Sequence, residues 1–185
     1  MFNFHNVFDS DVSQQQVYAS SVAPAVRAFL QGRGAVVVAR GTQASGKSRT
    51  FFAVGEYSQS GCCLRAATDV LDAMKQSGGG NTPQLYVSCV CVDSRGAVDA
   101  LKPNDGERMA PGALAVRAYS SQKVSRVSDF MLLLQRLGRR SSSAPRHTML
   151  CLKISSSNHA GRGQINPFLV FLETASEFSG SAHNR

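Results

Sequence analysis

The eight residues Gly41–Ser48 constrain the fold of this chain more than any other feature. They have the sequence GTQASGKS and match the pattern G-x-x-x-x-G-K-[ST]. In such a loop the glycines permit a tight turn that points backbone N–H groups at phosphate oxygens, and the following helix adds its positive N-terminal end. The loop directly follows the apolar run AVVVA at Ala35–Ala39. This order of strand, loop and helix predicts a nucleotide-phosphate site in an α/β domain.

Two side chains of the loop carry its expected chemistry. Lys47 is predicted to reach the β- and γ-phosphates, and the Ser48 hydroxyl is predicted to bind Mg²⁺. The expected cofactor is therefore ATP or ADP with Mg²⁺, whereas the motif identifies no catalytic residue. A chance loop rich in glycine and serine is the alternative, and the flanking strand argues against it. The predicted nucleotide-binding residues are Gly41, Thr42, Gln43, Ala44, Ser45, Gly46, Lys47, Ser48 and Arg49.

Apolar patterns along the chain predict its strands and helices. The predicted strands are Ala35–Ala39, Leu85–Val92, Thr148–Ile154 and Phe168–Leu172. The first and last are almost wholly apolar, which is typical of strands that are covered on both faces. The predicted helices are Gln14–Leu30 with a break or kink at Pro24, Ser48–Ala53, Leu64–Met74, and Ser128–Leu137 with Ser128 as N-cap and Gly138 beyond its end. Strands that alternate with helices predict a layered α/β fold.

The composition narrows the class of protein. The chain has 185 residues and a formal net charge of +8, which favours an anionic partner. We predict one domain over residues 1–178 and a flexible tail over 179–185. No apolar stretch approaches the ~20 residues that cross a bilayer, and the N-terminal sequence is not that of a signal peptide. The five cysteines lack the spacing of a zinc site or a disulfide framework, so we predict buried free thiols in a reducing compartment.

The residues around the loop resemble those of the kinesin motor domain family. The loop GTQASGKS is similar to the family's G-Q-T-G-S-G-K-T, and Gly61 with Arg65-Ala66 is similar to G-I-I-P-R-A. Upstream, ten residues follow the family pattern F-D-x-V-F…Q…V-Y…P-x-V…L-x-G. They are Phe4, Val7, Phe8, Gln14, Val17, Tyr18, Pro24, Val26, Leu30 and Gly32.

The second half of the chain continues this resemblance. Val87–Pro103 aligns without a gap to the family's V-S-x-x-E-I-Y-N-E-x-V-x-D-L-L-x-P. Arg146-His147 and the strand after them resemble the end of switch I, and Phe168–Glu177 falls where the family has switch II. The resemblance covers nearly the whole chain in order. It implies an α/β, three-layer fold of the P-loop NTPase type that corresponds to part of a kinesin motor domain.

Both switches depart from the family pattern. In switch I, Ala144 stands at the metal-side serine of N-x-x-S-S-R-S-H and Pro145 stands at its arginine. In switch II, a gapless register puts Leu172 at the metal-side aspartate and Ala175 at the glycine, whereas a shifted register gives the acidic role to Glu173. Phosphoryl transfer depends on positioned groups and neutralised charge. The departures predict a degenerate motor with little or no ATPase activity or motility, and they leave open whether the chain is an enzyme.

The resemblance implies a kinesin-like, microtubule-associated protein that serves as a structural or assembly component. Its expected partners are tubulin or an axonemal or cytoskeletal assembly, and its expected location is the cytoplasm and cytoskeleton, with the cilium or flagellum as a candidate. In the family's sheet, a strand absent here lies beside the one that leads to the loop. Ala35–Ala39 is therefore expected at an apolar edge that a partner chain completes. A membrane partner is not expected, and nucleic acid is disfavoured because aromatic and basic residues are not interleaved.

Two alternative functions remain open from the residues themselves. An ordinary P-loop NTPase or kinase would need an acidic residue on Phe168–Leu172, where only Glu173 just past the strand could serve. A nucleotide-free interaction module would keep the loop as a relic and would use its basic surface. His147 has no partner at catalytic or metal-ligand spacing, so a structural role is expected for it. Glu173 and Glu177 are either a general-base pair or surface carboxylates.

Overall fold

The structure, a computed structural model, describes residues 4–76, 83–102, 119–139, 146–155 and 167–175. The tail predicted at 179–185 lies outside these ranges. The helices are α1 (Gln14–Val17), α2 (Ala23–Leu30), α3 (Lys47–Phe52), α4 (Cys62–Gln76) and α5 (Val127–Arg139), with a π-helical turn at Tyr18–Val22 and a 3₁₀ turn at Tyr57–Gln59. The strands are β1 (Ala35–Ala39), β2 (Gln84–Asp93), β3 (Gly96–Asp99), β4 (Gln122–Val124), β5 (His147–Ser155) and β6 (Phe168–Glu173).

The six strands form one sheet with the order β1-β6-β5-β2-β3, and β4 pairs with β2 beside β3. β1 runs parallel to β6 in a register that pairs Ala35 with Leu169 and Ala39 with Glu173. β5 is antiparallel to both β6 and β2. Because β1 and β6 run the same way, the loop after β1 and the carboxyl end of β6 meet at one end of the sheet. β1 lies at the edge of the described sheet, as predicted.

The helices and one face of the sheet share the main hydrophobic core. On this face Val37 of β1 pairs with Phe171 of β6, which pairs with Leu150 of β5. Phe171 and Leu150 are fully buried, and the buried side chains of α2, α4 and α5 belong to the same cluster. We call this side of the sheet the helical face. A smaller cluster of Val90, Ala97 and Tyr119 covers part of the opposite face, near β2 and β3.

β1 is covered on one face only, so the prediction of cover on both faces is wrong for this strand in the described structure. Val37 packs against the main core, whereas Val36 is 62% exposed and Val38 is 54% exposed. The alternation follows from strand geometry, in which successive side chains point to opposite faces. The apolar run therefore predicted the strand correctly, but it did not show that one face of the strand is exposed.

The four predicted strands are confirmed, with ends that differ by at most one residue. The sequence patterns missed β3 and β4, which have only four and three residues. Among the helices, the predicted segment Gln14–Leu30 is divided by the π-helical turn that ends just before α2. Pro24 lies in the first turn of α2, where its missing N–H costs little. The structure shows no break at Pro24; residues 14–30 remain helical, and the distortion is the π-helical turn that precedes this proline.

The start and end of α5 differ from the prediction. Ser128 is not the N-cap, because it lies inside the first turn of a helix that begins at Val127. The capping carboxylate is that of Asp129, which accepts hydrogen bonds from the backbone N–H groups of Arg126 (3.1 Å) and Ser125 (3.4 Å). Gly138 lies within α5 and does not follow its end. A carboxylate can reach back to these amides across one turn, and the sequence pattern alone does not choose between it and the serine.

The cysteines agree with the prediction of buried free thiols. All five cysteines are free thiols, and four of them are buried. Within the described ranges, no helix is both long and apolar enough to cross a membrane. Burial raises the pKa of Cys62 to about 11 and raises the pKa of Cys63 well above the ordinary value. A hydrogen bond with Cys91, together with burial, raises the pKa of Cys89 well above the ordinary value. These thiols are therefore protonated packing groups at neutral pH and poor nucleophiles.

Candidate functional site

The Gly41–Ser48 loop connects β1 to α3 at the end of the sheet where β6 also terminates. Gly46 is the N-cap of α3 and has φ of +86°, a left-handed conformation that glycine adopts without steric cost. Ala44 also has a positive φ, of +59°. Gly41 has φ of +157°, which residues with a side chain rarely adopt, and a Cβ atom there would lie 2.7 Å from the Ser45 hydroxyl oxygen, so a substitution would be strained. The glycines of the motif are thus explained by the shape of the loop.

Lys47 folds back over the loop that precedes it. Its Nζ donates to the carbonyl oxygens of Gly41 at 2.9 Å and Thr42 at 2.7 Å. The side chain is half-buried, whereas residues 42–46 of the loop are exposed. A positive charge is therefore held at the mouth of an open, glycine-containing loop, beside the N-terminus of α3.

Ser48 connects the loop to β6. Its hydroxyl donates a hydrogen bond to the Glu173 carboxylate, although the two residues are 125 positions apart in sequence. The contact follows from the parallel pairing that places Glu173 beside Ala39. The structure therefore favours the shifted register of the two that the sequence left open. Leu172 pairs with Val38, and it is Glu173 whose carboxylate reaches the loop.

The residues after Glu173 form further bonds within the protein. The backbone N–H of Thr174 donates to the carbonyl oxygen of Ala39 at 3.0 Å, and its hydroxyl donates to the same oxygen at 3.2 Å. The backbone N–H of Ala175 donates to Nδ1 of His147 at 3.1 Å. His147 begins β5, so its imidazole connects the start of one strand to the segment after the next. This contact gives His147 the structural role that its isolation in sequence suggested.

A second set of contacts positions α3 from the side of α4. Arg65 is 2% exposed, and its guanidinium donates to the carbonyl oxygens of Ser60 at 2.9 Å and Ser58 at 3.4 Å. Gln59, in the same turn, accepts a hydrogen bond from Arg49 of α3 at 3.3 Å. The predicted nucleotide-binding residue Arg49 therefore has its guanidinium on Gln59. Sequence similarity pointed to Arg65, but only the structure shows that it holds the turn against α3.

Gly61 closes this support by a direct backbone contact. Its N–H donates to the carbonyl oxygen of Ala53 at 3.0 Å. A Cβ atom at Gly61 would lie 2.7 Å from the carbonyl oxygen of Phe51 and 2.9 Å from the backbone nitrogen of Ala53. No side chain fits there without movement of the backbone. The end of α3 and the start of α4 are therefore in contact through their main chains.

The structure does not describe the remaining predicted positions, which are Ala144, Pro145 and Glu177. In the described part of the chain, no group of three or more His, Cys, Asp or Glu residues could hold a metal ion by itself. A magnesium site of the nucleotide type differs from such a cage, because Mg²⁺ there uses one or two protein oxygens together with phosphate oxygens.

Comparison with known proteins identifies the family of this arrangement. The family model of the kinesin motor domain matches residues 1–160. The chain belongs to the kinesin motor domain family. Among curated proteins, this kinesin-family chain is 25% identical to the kinesin-like protein KIF22 of Mus musculus over 185 residues. It is 28% identical to the kinesin-like protein KIN-8A of Arabidopsis thaliana over 167 residues.

Solved structures show the same fold. The Drosophila kinesin family member Kin10/NOD, in complex with divalent manganese and ADP, matches with a TM-score of 0.80 and 19% identity over 95% of this chain. The structure of a fast kinesin matches with a TM-score of 0.79 and 19% identity over 99% of this chain. The predicted fold, resembling part of a kinesin motor domain, is thereby confirmed.

The chain spans only part of the proteins that it matches. Its similarity covers 27% of the mouse relative and 22% of the Arabidopsis relative. It covers 60% of the NOD chain and 56% of the fast kinesin. The activity and partners of those longer proteins therefore do not transfer by similarity alone.

Proposed function

We propose that this kinesin-family chain binds ATP or ADP with Mg²⁺ at Gly41–Arg49 and turns it over slowly or not at all. In this proposal it is a degenerate motor that serves as a structural or assembly component of the microtubule cytoskeleton. One observation carries the proposal: Lys47, Ser48 and Glu173 come together at the adjoining ends of β1 and β6. An ammonium group, a hydroxyl and a carboxylate at such a loop are the groups that hold nucleotide phosphates and their metal ion in P-loop NTPases.

The donor atoms of the site fit a magnesium nucleotide. Ser48 and Glu173 offer a hydroxyl and a carboxylate oxygen, which are the hard ligands that Mg²⁺ prefers. The first hydrogen bond of the α3 helix runs from the backbone N–H of Thr50 to the carbonyl oxygen of Gly46 at 2.9 Å. The backbone N–H groups before Thr50 in the first turn therefore have no acceptor within the helix. Such amides and the helix dipole attract phosphate. When bound, Mg²⁺ would neutralise charge on the phosphate oxygens.

Slow turnover is supported by the two switch segments. Ala144 and Pro145 replace the serine and arginine that the family pattern has in switch I. After Glu173, the amides of Thr174 and Ala175 both donate to acceptors within the protein. Among the residues that the structure describes, few groups then remain to orient an attacking water or to stabilise charge in the transition state, and these interactions provide most of the catalysis of phosphoryl transfer.

Structural neighbours support the choice of ligand and partner. NOD has been crystallised with ADP and manganese and with AMPPNP, and it has been docked with bovine tubulin into a map of the microtubule complex. By extension, we propose microtubules or a related cytoskeletal assembly as the partner of this chain and the cytoskeleton as its location. We also propose that a partner chain completes the sheet at β1. The position of β1 at the edge of the described sheet and the exposed Val36 and Val38 support this second interface.

The decisive test is titration calorimetry with ATP and with ADP in the presence of Mg²⁺. We expect the wild type to bind and Lys47→Ala to bind about 10- to 100-fold more weakly, because a charge-assisted contact to phosphate is lost. Lys75→Ala is the matched control, since Lys75 is exposed on α4 and pairs with Asp72 at 2.8 Å. A wild-type protein that binds neither nucleotide would refute the proposal and favour the nucleotide-free interaction module.

Phosphate release in the same samples separates the degenerate motor from an active one. We expect no stimulation by microtubules, and stimulated hydrolysis at motor-like rates would contradict the proposal. The contact between Ser48 and Glu173 also favours a second candidate, an ordinary P-loop NTPase, because its acidic residue is in place. Steady phosphate release without microtubules, abolished by Glu173→Gln, would support that candidate.

A further inference from the structure

A groove between β4 and α5 lies apart from the loop site. It has a volume of about 420 Å³ and is lined by Gln122, Lys123, Asp129, Leu132, Gln135 and Arg136. A volume of this size suits a few residues of a peptide. None of these residues takes part in the nucleotide site proposed above.

The apolar component of the groove is an exposed leucine. Phe130, Leu133 and Leu134 of α5 are buried in the main core, whereas Leu132 is 60% exposed on the outer side of the helix. Leu132 therefore contributes nothing comparable to the core. In the groove it is surrounded by polar side chains, which is the arrangement of an apolar anchor within a polar rim.

The charges of the groove are unbalanced. Among the described residues that line it, Lys123 and Arg136 are exposed cations, and the guanidinium of Arg136 donates to the neutral amide oxygen of Gln122 at 2.8 Å. The acidic residue in the described lining, Asp129, already accepts hydrogen bonds from the backbone N–H groups of Ser125 and Arg126 at the start of α5. Its charge is directed at the helix N-terminus. The groove therefore has a net positive charge that favours an acidic occupant.

β4 provides a backbone edge for an extended chain. It has three residues and pairs, among the described strands, with β2. A lysine on a short edge strand can by itself serve to prevent aggregation. That role does not account for the exposed Leu132 or for Arg136 beside it. Recognition of a peptide would use the edge of β4 with its lysine, the exposed Leu132 and Arg136, because extended peptides add to strand edges while side-chain pockets give specificity.

A second hollow extends the same surface across Lys123. It has a volume of about 220 Å³ and lies between the end of α4 and the start of β2, with Leu71, Met74 and Leu85 at its apolar base. The only ammonium at its rim besides Lys123 in the described lining is that of Lys75, which is paired with Asp72. The positive charge is therefore concentrated on the α5 side.

We propose that the groove between β4 and α5 binds an acidic, extended peptide segment of another protein, with an apolar side chain of that segment on Leu132 and its carboxylates on Lys123 and Arg136. This proposal does not depend on nucleotide binding. An acidic peptide is favoured over nucleic acid because an exposed leucine lines the groove and none of the described lining residues is aromatic.

The test is fluorescence anisotropy of the full chain with a labelled peptide that has glutamates around one central leucine. Three further probes are the same peptide with serine for leucine, its lysine-for-glutamate counterpart, and an oligothymidylate of equal charge. We expect the leucine-containing acidic peptide to bind most tightly and its affinity to fall as ionic strength rises. Equal or tighter binding of the oligothymidylate, equal binding of the serine peptide, or no binding of any probe would overturn the proposal.

Matched variants locate the binding to the groove. Leu132→Ser is expected to weaken binding about tenfold, as loss of an anchor does. Arg136→Glu and Lys123→Glu are each expected to weaken it several-fold, more strongly at low salt. The controls are Leu30→Ser and Arg27→Glu, at exposed positions on α2, which we expect to stay within about twofold of the wild type. Controls that weaken binding as much as the groove variants, with unfolding midpoints unchanged throughout, would refute this location.

Discussion

The two faces of the sheet differ in what covers them. On the helical face, Phe171 of β6 is fully buried and meets the ring of Phe51 edge-on, with 5.5 Å between ring centroids. On the opposite face, Val36 and Val38 of β1 are more than half exposed, although Val37 between them packs on the core. Three consecutive valines thus have different surroundings. The difference shows that the helices, and not the composition of the strand, determine where the stabilising burial lies.

The uncovered part of the opposite face also differs from its covered part. Near β2 and β3, Val90 and Ala97 are buried with Tyr119. Asp99 accepts the backbone N–H groups of Leu101 at 2.9 Å and Ser120 at 2.7 Å, which ties the segments before and after residues 103–118 together. The far side of the sheet from β1 is therefore closed locally by its own hairpin. The side at β1 has no comparable cover among the described residues.

Phe171→Ala is expected to have the largest effect on stability, and it tests the difference between the two faces of the sheet. Removal of a buried ring from the helical face should lower the free energy of unfolding by about 3–5 kcal/mol. The matched control is Phe168→Ala on the same strand. Phe168 is half-buried on the opposite face, where Lys153 lies 5.9 Å from its ring, and its loss should cost about 1 kcal/mol. Urea denaturation measures both, and equal losses would contradict the proposed inequality of the faces.

Gly61→Ala tests the main-chain contact that joins α3 to α4 on the helical face. The added methyl group would meet the backbone of Phe51 and Ala53 at 2.7–2.9 Å, so we expect a loss of about 1–3 kcal/mol in the free energy of unfolding. Gly138→Ala is the control, because nothing lies within 4 Å of its Cβ position in α5. That change should raise stability by about 0.5–1 kcal/mol, since alanine is the better helix former. If both variants changed the free energy of unfolding in the same direction, either the packing at Gly61 or the helix propensity at Gly138 would have been misjudged.

The sequence was sufficient for the parts of the fold that local patterns determine. Apolar runs identified the four long strands, and the Gly41–Ser48 pattern identified the loop between β1 and α3. The short strands β3 and β4 were missed because three or four residues carry too little periodicity. Cover of β1 was misjudged because an apolar run does not report what packs on each face.

The candidate site also combines residues that local sequence patterns predict with contacts that only the structure shows. Lys47 and Ser48 follow from spacing alone, whereas the choice between Leu172 and Glu173 needed the pairing of β1 with β6. The bond from Ala175 N to His147 had no signal in the sequence, because it joins a backbone group to a side chain 28 residues away. Contacts that depend on the register of strands distant in sequence require coordinates.

The buried thiols on the two faces of the sheet make the free energy of unfolding depend on pH. Burial raises the pKa of Cys62 in α4 and of Cys151 in β5 to about 11, from an ordinary value of 9.0. Because the folded state holds these protons more tightly, their contribution to stability is complete below pH 9 and is lost as pH rises toward 11. Cys151→Ala should therefore reduce the fall of unfolding free energy above pH 9 by up to about 1.4 kcal/mol per pH unit.

Cys62→Ala is the counterpart for the helical face. It should reduce the alkaline slope by a similar amount, since burial is the main cause of both shifts. Denaturant unfolding of wild type and both variants, from neutral pH to above pH 10, measures the slopes. An unchanged slope in either variant would show that its thiol does not ionise on unfolding in this range.

The smallest effect on stability is expected from Val36→Thr with Val38→Thr at the open edge. Threonine retains the β-branched shape and both side chains are exposed, so the free energy of unfolding should change by less than about 0.5 kcal/mol per site. Association should change far more, because an edge that pairs with another chain buries these side chains beside new backbone bonds. In sedimentation velocity over a range of concentrations, we expect the wild type to associate and the double variant to associate less. A wild-type protein that stays a monodisperse monomer would count against a partner at β1, and the exposed valines would then be an uncovered part of the sheet with no binding role.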